Sequence, residues 1–435
     1  MPTPRGPLKV IQPEPVVHTR DGGEIRRTPR GEVREVRTPA GAVIRYAPDG
    51  MRRVEMERPG GRVVFANGDG HAGYVQHPYR VHDQTFVQRT YVERGTTYTR
   101  VYRPWVRQGV TYNVYMPSRY YRPAYYSWTS RRWDQPVYYR WGWGERPWYG
   151  YYRGYYTPYP YYASPIFWLT DFMVAVTLET AYQARVDSGA AAPAPYYDTG
   201  GMTPEVKQAI AEEVRRQVEQ ERAEQRSMGQ GYDAPPPLFS DNVSRIFLVD
   251  TPTVAYLDGE ERHLSEGTVL QLNGAPPPNS AYADVAVLAS RDRYVPRGSV
   301  VSVSLVDLQE MQNHMRANID RGLGDLQARQ GQDGLPALPP RSLGTSDADY
   351  ASGVQPDLDA ARELSRTVDE ADQSSREVLS QSPAPDPVVT LGMTEAEVRA
   401  VLGRPSQVAD AGSRRIEVYP NFKVVYTNGR VTDIQ

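Results

Sequence analysis

Short runs of alternating apolar and polar residues, closed by glycine-containing turns, occupy the first quarter of the chain. Residues 39–44 recur twenty positions later as residues 59–64, and Asp49-Gly50 likewise recurs as Asp69-Gly70. A two-residue period with Asp-Gly turns is typical of antiparallel hairpins, so a β-meander is predicted here. The same pattern predicts further strands at residues 85–93, 96–103 and 110–116.

Three later segments carry apolar residues three or four positions apart, which is the spacing of a helix face. In the first two segments these positions are Ile166, Leu169, Phe172, Met173 and Val176, then Val206, Ile210, Val214 and Val218 after the Thr203-Pro204 helix start. The third segment is a seam formed by Leu308, Met311, Met315, Ile319, Leu323 and Leu326, which Gly322 and Gly324 interrupt. Burial of the seam on its own module is the favoured interpretation, and pairing with a second chain is the alternative.

These elements, with 38 prolines and 36 glycines in 435 residues, predict a multi-domain α+β protein with several small cores. The predicted order is a β-hairpin repeat region at 1–73, an aromatic-rich β or irregular segment at 74–163, amphipathic helices at 164–228, a linker at 229–242, a small β-barrel at 243–306, an amphipathic helix at 307–327, a linker with a weak acidic helix at 328–387, and a helix plus antiparallel meander at 388–435. Residues 190–201 are a further linker, and residues 328–356 are expected to be disordered.

The aromatic-rich segment has an unusual composition. Residues 74–162 contain 21 tyrosines, six tryptophans and 13 arginines but only four acidic residues, and no leucine or isoleucine occurs between Arg45 and Pro165. An aliphatic core is therefore excluded, and rings and valines must supply the packing if the segment folds. Its many Gly and Pro residues also exclude a long helix across residues 138–162.

Charge is distributed asymmetrically along the chain. The net charge is −2, yet residues 1–162 carry +13 and the remainder carries −15. No cysteine is present, which excludes disulfides, Cys-ligated zinc, iron–sulfur clusters and a thiol nucleophile. The longest apolar run, residues 166–178, contains Asp171 and is too short and polar to span a bilayer. Residues 1–15 show no export signal, so an exported form is expected to be a mature chain.

Residues 243–306 resemble the bacterial SH3-like barrel. The resemblance lies in residues 264–272 (LSEGTVLQL), 285–288 (VAVL) and 296–303 (PRGSVVSV), with strands expected at 246–249, 268–272, 285–289 and 300–303. It implies a small barrel of the kind that serves as a cell-wall or peptide adaptor. It assigns no binding residue.

The C-terminal residues 388–435 begin with a Thr394/Glu397 capping box that predicts a helix ending at Gly403. Three strands are expected after it, with Asn428-Gly429 as the last turn. With residues 391–398 (LGMTEAEV), 402–405 (LGRP), 419–420 (YP) and 428–434 (NGRVTDI), this segment resembles the SmpA/OmlA family of outer-membrane assembly lipoproteins. The resemblance implies an extracytoplasmic location, in the periplasm, at the outer-membrane surface or secreted, and a scaffold role without catalysis.

No pattern of catalytic or metal-binding residues is evident. His71, His77 and His82 lack a completing set of carboxylates, so they are interpreted as surface residues. Neither G-x-S-x-G nor S-x-x-K occurs. Asp171 and Glu179 are interpreted as the solvated side of a helix. The chain is therefore predicted to be no enzyme and to need no cofactor or metal.

The aromatic-rich segment supports two interpretations. Its rings and guanidinium groups can stack on one another as a structural wrap, or they can form an exposed platform that binds envelope glycans, anionic polymers or outer-membrane proteins. The platform residues would be Tyr98, Arg100, Tyr102, Trp105, Trp128, Trp133, Arg140, Trp141, Trp143 and Trp148. Single-stranded nucleic-acid binding is a disfavoured alternative because no RNA- or DNA-binding signature occurs. Self-assembly at the cell surface through Tyr/Arg contacts and the 308–326 seam is a further alternative.

Overall fold

A computed structural model describes residues 16–28, 31–47, 50–93, 95–187, 201–227, 234–240, 242–292, 294–381, 389, 392–411, 414–419 and 423–434. About 32% of the chain is helical and 34% is strand, which confirms the mixed α+β class. Contacts divide the described residues into one unit within 47–51 and 57–366, and another within 16–46, 52–56 and 367–434. Residues 190–200, 229–233 and 382–387 of the predicted linkers lie outside the described residues.

The strands in the described residues are β1 (Val16–His18), β2 (Glu24–Arg27), β3 (Val33–Arg37), β4 (Ala42–Tyr46), β5 (Arg52–Arg58), β6 (Arg62–Asn67), β7 (Ala72–Val81), β8 (Gln84–Glu93), β9 (Thr96–Arg107), β10 (Val110–Met116), β11 (Arg119–Tyr121), β12 (Arg245–Leu248), β13 (Thr253–Leu257), β14 (Glu260–Leu264), β15 (Val269–Leu272), β16 (Tyr282–Ala289), β17 (Val300–Ser304), β18 (Thr345–Asp347), β19 (Gln407–Ala411), β20 (Arg414–Val418), β21 (Lys423–Thr427) and β22 (Arg430–Ile434). The helices are α1 (Pro123–Thr129), α2 (Pro147–Tyr152), α3 (Pro165–Asp187), α4 (Pro204–Arg226), α5 (Pro237–Ser240), α6 (Leu305–Ala328), α7 (Ala360–Gln381) and α8 (Glu395–Leu402).

In the first unit, strands β6 to β10 form an antiparallel meander in chain order. The three strands predicted between residues 85 and 116 are confirmed, although β9 runs four residues further than expected. Gln108 and Gly109 join β9 to β10 with φ values of +54° and +77°, as a two-residue hairpin turn requires. One face of this sheet carries Tyr98, Arg100 and Tyr102, the alternating residues predicted to lie together.

A six-stranded antiparallel sheet follows in the order β12-β15-β16-β17-β13-β14. The four strands predicted within residues 243–306 are present, and β13 and β14 are additional. Phe247, Leu270, Val285 and Val301 fill its core at 1% exposure or less. Because β14 buries only Leu264, its sequence lacks the apolar alternation that would have revealed it.

Helix α6 is the central helix of the first unit, and it packs against α3, α4, β10, β12 and β17. All six residues of the predicted seam, Leu308 to Leu326, are 1% exposed or less. The interpretation as a buried face is confirmed, and self-assembly through this seam is wrong because the seam is already covered. Gly322 lets α3 approach closely, since a Cβ there would lie 2.8 Å from Phe172 Cδ1.

Residues 328–356 are ordered, so the prediction of a disordered linker is wrong for this stretch. Strand β18 pairs with β11, and short 3-10 turns occur at Pro340–Ser342 and Asp349–Ala351. Tyr350 is 1% exposed, and its hydroxyl donates to the Pro117 carbonyl oxygen over 2.6 Å. This segment is held in place by contacts with residues that are distant in the sequence. Local sequence patterns do not reveal such contacts.

In the second unit, β1 to β4 and the first residues of β5 form consecutive hairpins, as predicted. The predicted acidic helix is α7, whose Asp372 pairs with Arg52. At the C-terminus the capping box of Thr394 and Glu397 is present and α8 ends before Gly403, which confirms the prediction. Strands β19 to β22 form one antiparallel sheet, of which β19 was not predicted.

Candidate binding surface

Residues 119–163 form a loop-rich layer on α3, hereafter called the aromatic layer. Its short helices α1 and α2 each begin with proline, a residue that fits the first helical turn. Val137 and Tyr162 exchange two backbone hydrogen bonds, of 2.9 and 2.8 Å, and so hold the two arms of the layer together. The absence of a long helix from residues 138–162 agrees with the sequence expectation.

Tryptophan rings form the floor of the aromatic layer. Trp141 stacks on Trp143 at 4.1 Å between ring centroids and on Trp168 of α3 at 4.9 Å. Trp148 is 3% exposed, while Trp128, Trp133, Trp141 and Trp143 are half-buried against the same core. The expectation that these five tryptophans are exposed anchors is therefore wrong. Without leucine or isoleucine, these rings are the bulky apolar groups available to fill the interior.

Four predicted platform residues lie on β9 rather than in the layer. The Arg100 guanidinium lies 5.0 Å from the Tyr91 ring and 5.2 Å from the Tyr98 ring, and Tyr102 is 1% exposed. The Tyr91 and Tyr98 rings stack on each other at 5.2 Å, which leaves their inner faces occupied. The fourth residue, Trp105, stacks on Phe239 at 5.0 Å. These four β9 residues therefore pack against other side chains of the protein, as the structural-wrap interpretation holds.

Sequence reasoning missed Arg89, which lies directly opposite Arg100 on β8. Arg89 is 3% exposed and lies between the rings of Tyr74 and Tyr102. It donates to both carboxylate oxygens of Glu310 on α6, over 2.8 and 2.9 Å. This bidentate pair binds α6 to the sheet.

Asp171 on α3 anchors the aromatic layer and is fully buried, so its interpretation as a solvated residue is wrong. Its carboxylate accepts from the hydroxyls of Tyr156 and Tyr162 over 2.9 and 2.8 Å and from the Tyr159 amide over 2.5 Å. Lys207 Nζ of α4 lies 3.4 Å from Asp171 Oδ1. Burial raises the pKa of Asp171 and lowers the pKa of Lys207, and the attraction between the two charges opposes both changes.

Two tyrosines of the layer differ from the others because they are exposed. Tyr138 is 76% exposed and Tyr161 is 49% exposed, and their ring centroids are 6.2 Å apart. They flank the Val137–Tyr162 bridge, which places them side by side on two adjacent extended arms. We call them the Tyr138–Tyr161 pair. Sequence reasoning did not single them out, because neighbouring tyrosines such as Tyr139 and Tyr162 have the same composition around them.

Seven arginines of the layer are exposed. Arg119 lies in β11 and Arg122 caps α1, and we call the other five the arginine rim. None of them forms an ion pair with a carboxylate in the part of the chain that the structure describes. The rim consists of Arg131, Arg132, Arg140, Arg146 and Arg153. The layer contains only two acidic residues, Asp134 and Glu145, so its surface is strongly basic. Arg140, the one rim residue among the predicted platform residues, is exposed as that prediction requires.

Two acidic side chains lie close together beneath the layer, namely the buried Glu221 of α4 and the half-buried Asp320 of α6. Glu221 is 2% exposed and accepts from the Tyr126 hydroxyl over 2.6 Å, and Asp320 accepts from Tyr115 over 2.9 Å. Burial, then the neighbouring Asp320 charge, raises the pKa of Glu221 well above its usual value. The other charged and titratable groups around the pair are Arg100, Arg119, Arg316, Glu224, Tyr120, Tyr121 and Tyr125.

Glu221→Gln is expected to stabilise the protein at neutral and alkaline pH. A carboxyl whose pKa is raised by folding contributes stability below its unfolded value of 4.5 and loses it as pH rises through the folded value. Glutamine still accepts the Tyr126 hydrogen bond but carries no charge. Urea unfolding should therefore show a gain on the order of 1–3 kcal/mol at pH 8 and little gain at pH 4. The control Glu219→Gln, exposed on the same helix, should change neither value.

Within the described ranges, no group of three or more His, Cys, Asp or Glu residues could hold a metal ion. His71 and His82 are exposed as predicted, whereas His77 is half-buried and its pKa is lowered, first by burial and then by Arg62. No helix among the described residues combines the length and apolarity needed to cross a membrane.

Comparison with known proteins returned no matching family model, no matching curated protein and no matching solved structure. The resemblances of residues 243–306 and 388–435 therefore stay predictions.

Proposed function

We propose that the protein is a non-catalytic binding protein of the cell envelope, and that its aromatic layer binds an anionic glycan carrying carboxylate or phosphate groups. The observation that carries this proposal is the exposed Tyr138–Tyr161 pair within a layer whose five rim arginines have no carboxylate partner among the described residues. The envelope location rests on the resemblance of residues 388–435 to the SmpA/OmlA family.

The chemistry of the surface suits such a ligand. Exposed tyrosine rings stack on the apolar C–H faces of sugar rings, while the phenolic hydroxyls remain free for hydrogen bonds. Guanidinium groups form paired hydrogen bonds with carboxylate or phosphate oxygens. The packed tryptophan floor and the Asp171 network hold the layer in place, so little ordering is needed when the ligand binds. The tryptophans therefore support the site without forming its contact surface.

Removal of rim charges should weaken binding of alginate, a carboxylated polysaccharide. Arg140→Ala, Arg146→Ala and Arg153→Ala in one variant remove three exposed contacts worth up to about 1 kcal/mol each, so affinity should fall by about tenfold or more. Calorimetric titration of the full chain with alginate measures this change. Affinity should also fall as salt rises, since exposed charges are screened.

A matched control removes the same number of charges elsewhere in the first unit. Arg80, Arg297 and Arg341 are exposed, and their combined replacement by alanine should change alginate affinity by less than about twofold. Equal losses in both triple variants would show non-specific attraction and contradict the proposed site. Tyr138→Ala with Tyr161→Ala should also weaken alginate binding while leaving its salt dependence in place.

The competing functions predict different results in the same assay. Tighter binding of single-stranded DNA than of alginate, lost in the rim variant, would replace the proposal with nucleic-acid binding. Concentration-dependent assembly seen by sedimentation, with no alginate binding, would instead favour self-association through a surface other than the covered 308–326 seam.

A further inference from the structure

The Tyr138–Tyr161 pair has a geometry that suits a covalent modification as well as binding. Val137 and Tyr162 exchange both backbone hydrogen bonds. The next pair along the antiparallel arms, residues 138 and 161, is therefore a non-hydrogen-bonded pair, in which side chains lie closest. The ring centroids are 6.2 Å apart with an interplanar angle of 53°, so the ring edges are near contact.

Accessibility separates this pair from the many other tyrosine contacts. Among the described residues three tyrosines are exposed, namely Tyr138, Tyr161 and Tyr294, and of these only the first two contact each other. The neighbouring Tyr162 is fully buried and its hydroxyl donates to Asp171. A diffusible oxidant would therefore reach two adjacent phenols at one place.

We propose that Tyr138 and Tyr161 are a site of oxidative cross-linking by a one-electron oxidant of the peroxide-dependent haem peroxidase class. Each phenol loses one electron and its hydroxyl proton, and the two tyrosyl radicals form a carbon–carbon bond between positions ortho to oxygen. The ortho hydrogens then move to the phenolic oxygens, so the product lacks two hydrogens. One hydrogen peroxide is reduced to two waters and accepts the two electrons and two protons.

The product would be a covalent link in a chain that cannot form disulfides. The sequence contains 32 tyrosines and no cysteine. A dityrosine between residues 138 and 161 closes the loop that carries Trp141, Trp143 and Trp148, and thereby restricts the unfolded chain as a disulfide would. The cross-linked protein should unfold at a higher temperature than the untreated protein. This inference does not rest on glycan binding, because it concerns the protein without ligand.

The test treats the full chain at low concentration with horseradish peroxidase and limiting hydrogen peroxide, and then analyses tryptic peptides by mass spectrometry. The expected product joins residues 133–140 to residues 154–185 with the loss of two hydrogens, and fragmentation assigns the bond to Tyr138 and Tyr161. Its yield should not depend on protein concentration. Absence of this product, or dityrosine formed only between chains, would overturn the proposal.

Conservative variants give the controls. Tyr138→Phe and Tyr161→Phe should each abolish the product, because phenylalanine has no hydroxyl hydrogen to lose, and both should fold normally since each ring is exposed. Tyr294→Phe should leave the product unchanged, since the exposed Tyr294 contacts neither ring. If Tyr139→Phe abolished the product and Tyr138→Phe did not, the bond would involve Tyr139 and the proposal would be contradicted. Alginate affinity of the Phe variants is measured separately by titration. The cross-link can therefore fail while alginate binding remains, or the reverse, and the two proposals are tested independently.

Discussion

Asp171→Asn is expected to lower the free energy of unfolding by about 3–5 kcal/mol, because it removes one partner of a buried charge pair and leaves Lys207 without its carboxylate. Four groups approach the two carboxylate oxygens as donors, namely the hydroxyls of Tyr156 and Tyr162, the Tyr159 amide and Lys207 Nζ. Asparagine replaces one carboxylate oxygen with an NH2 group, which is itself a donor. At least one of the four groups would then lose its acceptor. Denaturant unfolding at neutral pH, followed by tryptophan fluorescence, measures the loss.

The same helix supplies a control for this prediction. Glu179 also lies on α3 but is partly exposed, so Glu179→Gln should change stability by less than about 0.5 kcal/mol. Combining Asp171→Asn with Lys207→Met removes both charges, and the double variant should be more stable than the sum of the single losses predicts. Strict additivity would show that the two charges do not interact.

Gly73→Ala is expected to destabilise the protein by about 3–5 kcal/mol, the sum of backbone strain and overpacking. Gly73 has a φ of +151°, and a Cβ there would lie 2.1 Å from the Phe65 carbonyl oxygen. The β6 and β7 backbones would have to separate, which would also disturb the stacking of Phe65 on Tyr74 at 5.0 Å. Thermal unfolding of the full chain would report this as a large fall in melting temperature.

Gly109→Ala separates the effect of close approach from the effect of backbone conformation. Gly109 also has a positive φ, of +77°, but among the described residues no atom other than those of its chain neighbours lies within 4 Å of its ideal Cβ position. Alanine there should cost about 1–2 kcal/mol through conformation alone. If both alanine variants lost the same stability, the contact with Phe65 would contribute nothing.

Elements with strong local patterns could be predicted from the sequence. The strands β8 to β10 alternate regularly and end at glycine turns, and the Thr394/Glu397 box marks the start of α8. The missed strand β14 has a polar edge-like sequence, although the Asp258-Gly259 turn before it was a usable signal. Residues 328–356 could not be predicted, because their order depends on contacts such as that of Tyr350 with Pro117, 233 positions away.

The candidate site was less predictable than the fold because aromatic side chains suit both a core and a surface. Tyr138 is 76% exposed while the adjacent Tyr139 packs on Trp168, and no local pattern distinguishes them. Asp171 did carry a signal that was misinterpreted, since it is the single charged residue in the apolar run of residues 166–178. A helix segment that is apolar on all sides has no solvated face, so an acidic residue within it is buried.

The position of α6 has a consequence for how the chain folds. Its Asn313 accepts from the backbone amide of Tyr115, 198 positions earlier, and its Ile319 and Leu323 complete the core that the aromatic layer shares with α3. The meander and the layer therefore emerge from the ribosome long before the helix that covers them. Contacts of such sequence separation slow folding, so we expect the first unit to fold slowly after synthesis and to expose tyrosine-rich surface to chaperones until α6 docks.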